Sequence, residues 1–157
     1  MMVSAVSHAS VYEIYKSDQV TVLRERFSGE KLLESANDSE VFEYCLDQLK
    51  RENGGRLDIG TGEFRIDRTM EPGSNVTVSG QGKFTRLVFT GEENAEYGIL
   101  IKDVRDVEIV DLMVISRNQT VRSGIVVENS GSCYVRDSKI IGFAEYGVVF
   151  RNNTYLS

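Results

Sequence analysis

Three short apolar runs, each opened by a glycine, recur in the second half of the chain: Gly98-Ile99-Leu100-Ile101, Gly124-Ile125-Val126-Val127 and Gly147-Val148-Val149-Phe150. The glycines lie 26 and then 23 residues apart. A second set keeps the same beat: Val88-Phe89, Val114-Ile115 and Ile140-Ile141, at intervals of 26 and 26. Apolar sets that recur in step at such a period mark stacked repeats, in which each unit buries the face its neighbour cannot bury alone. The runs are short, β-branched and separated by Gly, Asn, Asp and Ser, so they read as strands. The pattern predicts an all-β parallel solenoid with coils of about two dozen residues.

The polar positions keep the same register. Five residues after each repeated glycine stand Asp103, Asn129 and Asn152, and one residue before these stand Lys102, Glu128 and Arg151. The first set would stack at a corner, where Asx side chains bond to turn backbone. The second would alternate charge on the outer face. Alternation within each run places Val107, Ile109, Val114, Val126, Val135, Ile140 and Val149 inside the stack.

Before the repeat, 11–15 and 20–24 read as a hairpin. Asn37 followed by Glu40 opens a helix, with Val41, Phe42, Cys45, Leu46 and Leu49 at helical spacing and Asn53-Gly54-Gly55 ending it. This amphipathic helix, 38–52, is expected to cap the first coil. Strands are expected at 56–59, 63–66, 75–79 and 86–90. The domain reading is therefore 1–36, an extension carrying the hairpin, and 37–157, the capping helix plus first coils. Because the chain stops at 155–157 directly after a strand, the last coil is expected to be covered by further coils after a C-terminal truncation or by a homo-oligomeric partner.

Composition narrows the function classes. A net charge of −6 without a basic block disfavours nucleic acid. No run approaches a membrane span, and residues 1–10 carry no signal-peptide pattern. Cys45 and Cys133 read as buried free thiols, and one histidine, His8, with two distant cysteines cannot form a His/Cys metal set.

The helix segment Asn37 to Asp47, then Gly54-Gly55-Arg56-Leu57-Asp58-Ile59-Gly60-Thr61-Gly62-Glu63-Phe64, then Asn75-Val76-Thr77-Val78-Ser79-Gly80-Gln81-Gly82 and Thr85-Arg86-Leu87 resemble the opening of the pectate-lyase-like superfamily. The resemblance covers roughly 38–153 and implies a right-handed parallel β-helix. Gly60 stands where the family often has Pro. It also implies a protein acting on an acidic polysaccharide, as a lyase, epimerase or glycoside hydrolase, or a non-catalytic scaffold for carbohydrate binding or adhesion. An extracellular or cell- or virion-surface setting goes with either.

The candidate chemistry starts from Asp111 and Asp137, 26 residues apart and expected on adjacent coils. They could serve as catalytic carboxylates or as calcium ligands of the kind the superfamily uses. The competing reading is a pair of turn aspartates. Tyr134, Arg136, Lys139, Tyr146 and Arg151 are the candidate proton acceptors or charge stabilisers. Tyr146-Gly147 resembles the Tyr-Gly pair of the epimerases, but Val148-Val149-Phe150 follows where that pattern has Asp-Pro-His, so the epimerase roles do not transfer. With few coils and few parts, 1–157 alone is expected to turn over little or no polymer.

Overall fold

The computed structural model describes residues 9–91 and 96–154; His8 and 155–157 lie outside the described residues. The chain opens on an antiparallel meander: β1 (Ser10–Ser17), β2 (Val20–Glu25) and β3 (Lys31–Ser35). Helix α1 (Asp38–Arg51) follows, started by the Asn37 side chain, whose oxygen accepts from the Ser39 N–H at 3.0 Å. Then come β4 (Gly55–Ile59), β5 (Gly62–Ile66), β6 (Val76–Ser79), a 3-10 turn (Gly82–Phe84) and β7 (Thr85–Phe89). The rest is β8 (Tyr97–Lys102), β9 (Glu108–Val110), β10 (Met113–Ser116), β11 (Ser123–Glu128), β12 (Tyr134–Arg136), β13 (Lys139–Ile141) and β14 (Tyr146–Arg151).

These strands form three open sheets, ordered β12-β9-β6-β4-β1-β2-β3, β13-β10-β7-β5 and β14-β11-β8. This corrects the expectation of an all-β right-handed parallel β-helix (solenoid). Among the described residues the chain is mostly β with one helix, its three small sheets are mostly parallel, and none of them closes. The reason lies in the first third of the chain. The meander pairs antiparallel and adds β2 and β3 to the largest sheet beyond β1, while β1 itself pairs in parallel with β4. Helix α1 is equally part of the core, since Val41, Phe42, Cys45 and Leu49 are all 0% exposed.

Parallel pairing holds the second half together. Val114 lies opposite Ile140, and Ile125 opposite Ile99 and Val148. Two registers differ from the sequence expectation. Val88 pairs with Ile115, not Val114, so Leu87, Val114 and Ile140 share the inward row. In the third sheet the inward residues of β8 and β11 are Ile99, Ile101, Ile125 and Val127. Val126 is buried as expected, at 1% exposed, and Val149 is half-buried, but both lie on the opposite side of their strands from the inward row and border a small hollow. Val107, Ile109 and Val114 are buried as expected, and Val135 and Ile140 pack half-buried against the core.

The recurrent glycines have a steric cause. A Cβ on Gly124 would stand 2.5 Å from the Gly147 carbonyl oxygen and 2.6 Å from Ile140 Cγ2, and one on Gly98 2.7 Å from the Gly124 oxygen. Only glycine lets the third sheet start this close to the second. The Asx positions are corners: Asp103, Asn129 and Asn152 have φ of 57°, 47° and 53°. There Asn129 Nδ2 donates to Asp103 Oδ1 at 2.6 Å. Asn and Asp tolerate this left-handed geometry better than other side chains.

Both thiols are free, Cys45 buried and Cys133 half-buried. Burial pushes both up from the ordinary thiol range, Cys45 the further. In the native state Cys133 should therefore be alkylated well before Cys45, with Cys45 reacting only on unfolding. Equal rates in a mass-resolved labelling time course would contradict the packing of α1.

Candidate functional site

The outer face of the four-stranded sheet gathers several exposed cations. Strand alternation turns Phe64, Leu87, Val114 and Ile140 inward. The alternate positions form two outward rows. One runs Glu63, Arg86, Met113 and Lys139; the other runs Arg65, Val88, Ile115 and Ile141, of which Val88 is covered, at 3% exposed. The 3-10 turn leading into β7 adds Lys83 and Phe84, with the Lys83 ammonium 5.2 Å from the Phe84 ring centre and Phe84 59% exposed. Arg86 is braced by donating from Nε to the Lys83 carbonyl at 3.3 Å.

Glu63 is committed to Arg117 at 2.7 Å. Among the described residues no carboxylate forms an ion pair with Lys83, Arg86 or Lys139. A chain of net charge −6 thus gathers exposed cations beside an exposed aromatic ring on one surface. Such an arrangement can take a carboxylate on Arg86 or Lys139 and a flat apolar face on Phe84.

Asp111 and Asp137 border this face, each two residues before its outward row, at the turns leading into β10 and β13. Both are exposed and left-handed, with φ of 57° and 51°. The Asp111 carbonyl accepts from the Gly82 N–H at 2.7 Å, which ties it to the turn carrying Lys83 and Phe84. Asp137 meets Arg136 at 3.2 Å. A calcium ion wants six to eight oxygens. These two carboxylates, one of them facing a guanidinium, fall far short, and among the described residues no group of three His, Cys, Asp or Glu is placed to hold a metal.

Tyr146 stands elsewhere. It opens β14 in the third sheet, 60% exposed, over a hollow of about 90 Å³ shared with Tyr97, Arg122, Val126, Glu145 and Arg151. The charges there neutralise one another: Arg122 reaches Glu96 at 2.9 Å and Glu145 at 2.8 Å, and Arg151 reaches Glu128 at 3.3 Å. Tyr134 is exposed, and Arg136 is taken by Glu108 at 2.5 Å. The structure thus sets Asp111, Asp137 and Lys139 along one face and leaves Tyr146 and Arg151 on another. Lys83, Phe84 and Arg86 were missed by sequence reading; the alternation Thr85 in, Arg86 out, Leu87 in was the available signal.

A groove of about 240 Å³ also runs between α1 and 66–71, but its Arg68 is consumed by Asp67 at 2.8 Å and Glu43 at 2.6 Å. The hydrogen bond from Arg68 holds Asp67 below the usual carboxylate range. Among the described residues no helix is long and apolar enough to cross a membrane.

No protein-family model, curated protein or solved structure matches this chain. Nothing in these comparisons identifies the pectate-lyase-like superfamily that its opening segment resembles.

Proposed function

We propose that this chain is a non-catalytic binding module for an acidic polysaccharide, held along the outer face of the four-stranded sheet. The observation that carries the reading is the trio Lys83, Arg86 and Lys139, exposed without described acidic partners on a net acidic chain and flanked by Phe84. Arg86 and Lys139 stand two strand spacings apart, about 9.6 Å, with Met113 between them. Two cations at that interval can meet carboxylates on separate sugars of one polymer, while Phe84 offers an apolar surface for a sugar ring. The acidic remainder of the molecule repels any polyanion, and it repels a nucleic acid, with one charge per roughly 1.7 Å of duplex, more strongly than a polymer with at most one charge per sugar.

The test is binding to polygalacturonate and alginate, with neutral dextran as control, by affinity electrophoresis or calorimetry. Binding to an acidic polymer should weaken as salt rises. The Arg86→Glu/Lys139→Glu double variant should lose at least about tenfold in affinity, with its melting point little changed, since both sites are exposed. Binding that ignores salt and the double variant would sink the proposal. Turnover of either polymer, abolished by Asp137→Asn, would replace it with an enzyme whose carboxylate borders the same face.

A further inference from the structure

The two sides of the sheets are finished differently. On the β5 and β8 side the edge groups are taken. The Asp38 carboxylate accepts from the Arg65 N–H at 2.7 Å, and Ser39 Oγ accepts from the Asp67 N–H at 2.8 Å. Met70 closes the β8 edge, its N–H donating to the Gly98 oxygen and its oxygen accepting from the Leu100 N–H, both at 2.9 Å. On the opposite side β12, β13 and β14 are the edge strands of all three sheets. Residues that are buried one strand earlier come to the surface there. Ile125 is 0% exposed and its neighbour Val148 36%; Val127 is 1% exposed and its neighbour Phe150 53%. A cavity of about 280 Å³ opens among Val127, Cys133, Val135 and Phe150.

We propose that a second copy of this chain docks on this side, β14 pairing antiparallel with β14 of the partner subunit across a two-fold axis. A two-fold contact requires a self-complementary edge, and the sequence around β14 is one. Centred on Val148, the pairing sets that residue against Val148 of the partner subunit. It sets Tyr146 against Phe150 of the partner subunit, and Glu145 against Arg151 of the partner subunit. The symmetry makes the last two contacts twice. Shifting the register by one repeat of the ladder in either direction takes Glu145 and Arg151 out of opposition. Within each chain Glu145 keeps Arg122 at 2.8 Å and Arg151 keeps Glu128 at 3.3 Å, so opposing them across the axis extends both pairs into one network of alternating charge, and that alternation selects one register. The result joins two three-stranded sheets into a six-stranded one, covers the exposed Val148 and Phe150, and removes an edge that would otherwise template uncontrolled pairing.

Sedimentation velocity over a concentration series should show the 157-residue chain as a dimer. Arg151→Glu and Glu145→Arg should each raise the dimer dissociation constant by about tenfold, because two exposed pairs turn repulsive. The double variant Glu145→Arg/Arg151→Glu should recover most of the loss of either single reversal, the remainder reflecting the in-chain pairs with Arg122 and Glu128 that the swap also reverses. A single cysteine at the axis gives a readout that does not depend on charge: Val148→Cys should cross-link to its own copy under mild oxidation, since directly opposed strand residues lie within disulfide reach. A monomer at every concentration, a dimer indifferent to both reversals, or a Val148→Cys chain that does not cross-link would overturn the proposal.

Discussion

Replacing Leu49 with aspartate should unfold the chain at room temperature. Leu49 is 0% exposed on the inner face of α1, and its Cδ2 sits 2.8 Å from where a Cβ on Gly55 would lie. The space beside it is thus already closed by the first strand after the helix. Truncating a buried leucine costs about 2–5 kcal/mol by itself. An unpaired carboxylate in the same place adds several more. A domain of this size is stable by only about 5–15 kcal/mol, so the sum approaches or exceeds the whole. Far-UV circular dichroism and a thermal melt should show loss of the cooperative transition. A melting point within a few degrees of the parent would mean that α1 is not part of the core.

Asp38→Ala should be the most damaging polar substitution. The Asp38 side chain is only 7% exposed, and it joins three parts of the fold. It accepts from Lys16 Nζ of β1 at 2.7 Å, from Thr21 Oγ1 of β2 at 2.5 Å and from the Arg65 N–H of β5 at 2.7 Å. Thr21 is itself fully buried, so its hydroxyl would be stranded. Removing one partner of a buried charged network costs about 3–5 kcal/mol, because the remaining groups lose their bonds without regaining water. Asp38→Asn keeps the shape and part of the hydrogen bonding, and should cost clearly less. Chemical denaturation should rank the three chains parent, Asp38→Asn, Asp38→Ala. Equal loss in both variants would show that the charge, not the hydrogen-bonded junction, is what matters.

Some of this molecule could be read from the chain alone. The helix was legible because Asn37 supplies a cap and Val41, Phe42, Cys45, Leu46 and Leu49 keep a 3.6-residue beat, both of them local properties. The hairpin of β1 and β2 and the parallel pairing of β10 with β13 were legible for the same kind of reason: turn residues and apolar spacing act over a few positions. The candidate site was legible only in part. Lys139, Asp111 and Asp137 stood out, whereas Lys83, Phe84 and Arg86 did not, because a cation counts as part of a face only once its neighbours on the next strands are known.

Tertiary structure decided the rest. Ile125, Val126 and Val127 are all apolar, so alternation has no phase within the run. Packing against the second sheet then set Ile125 and Val127 in the inward row and Val126, still only 1% exposed, on the other side of the strand. The offset between Val88 and Ile115 is one residue longer than the apolar beat, because backbone pairing follows the path of the intervening loops and not the spacing of similar residues. The division into three open sheets with an antiparallel meander at one end follows from the same physics. Local sequence determines which segments extend and which coil. Which edge an extended segment joins, and in which direction, depends on the apolar surface that remains to be covered once every other segment is in place.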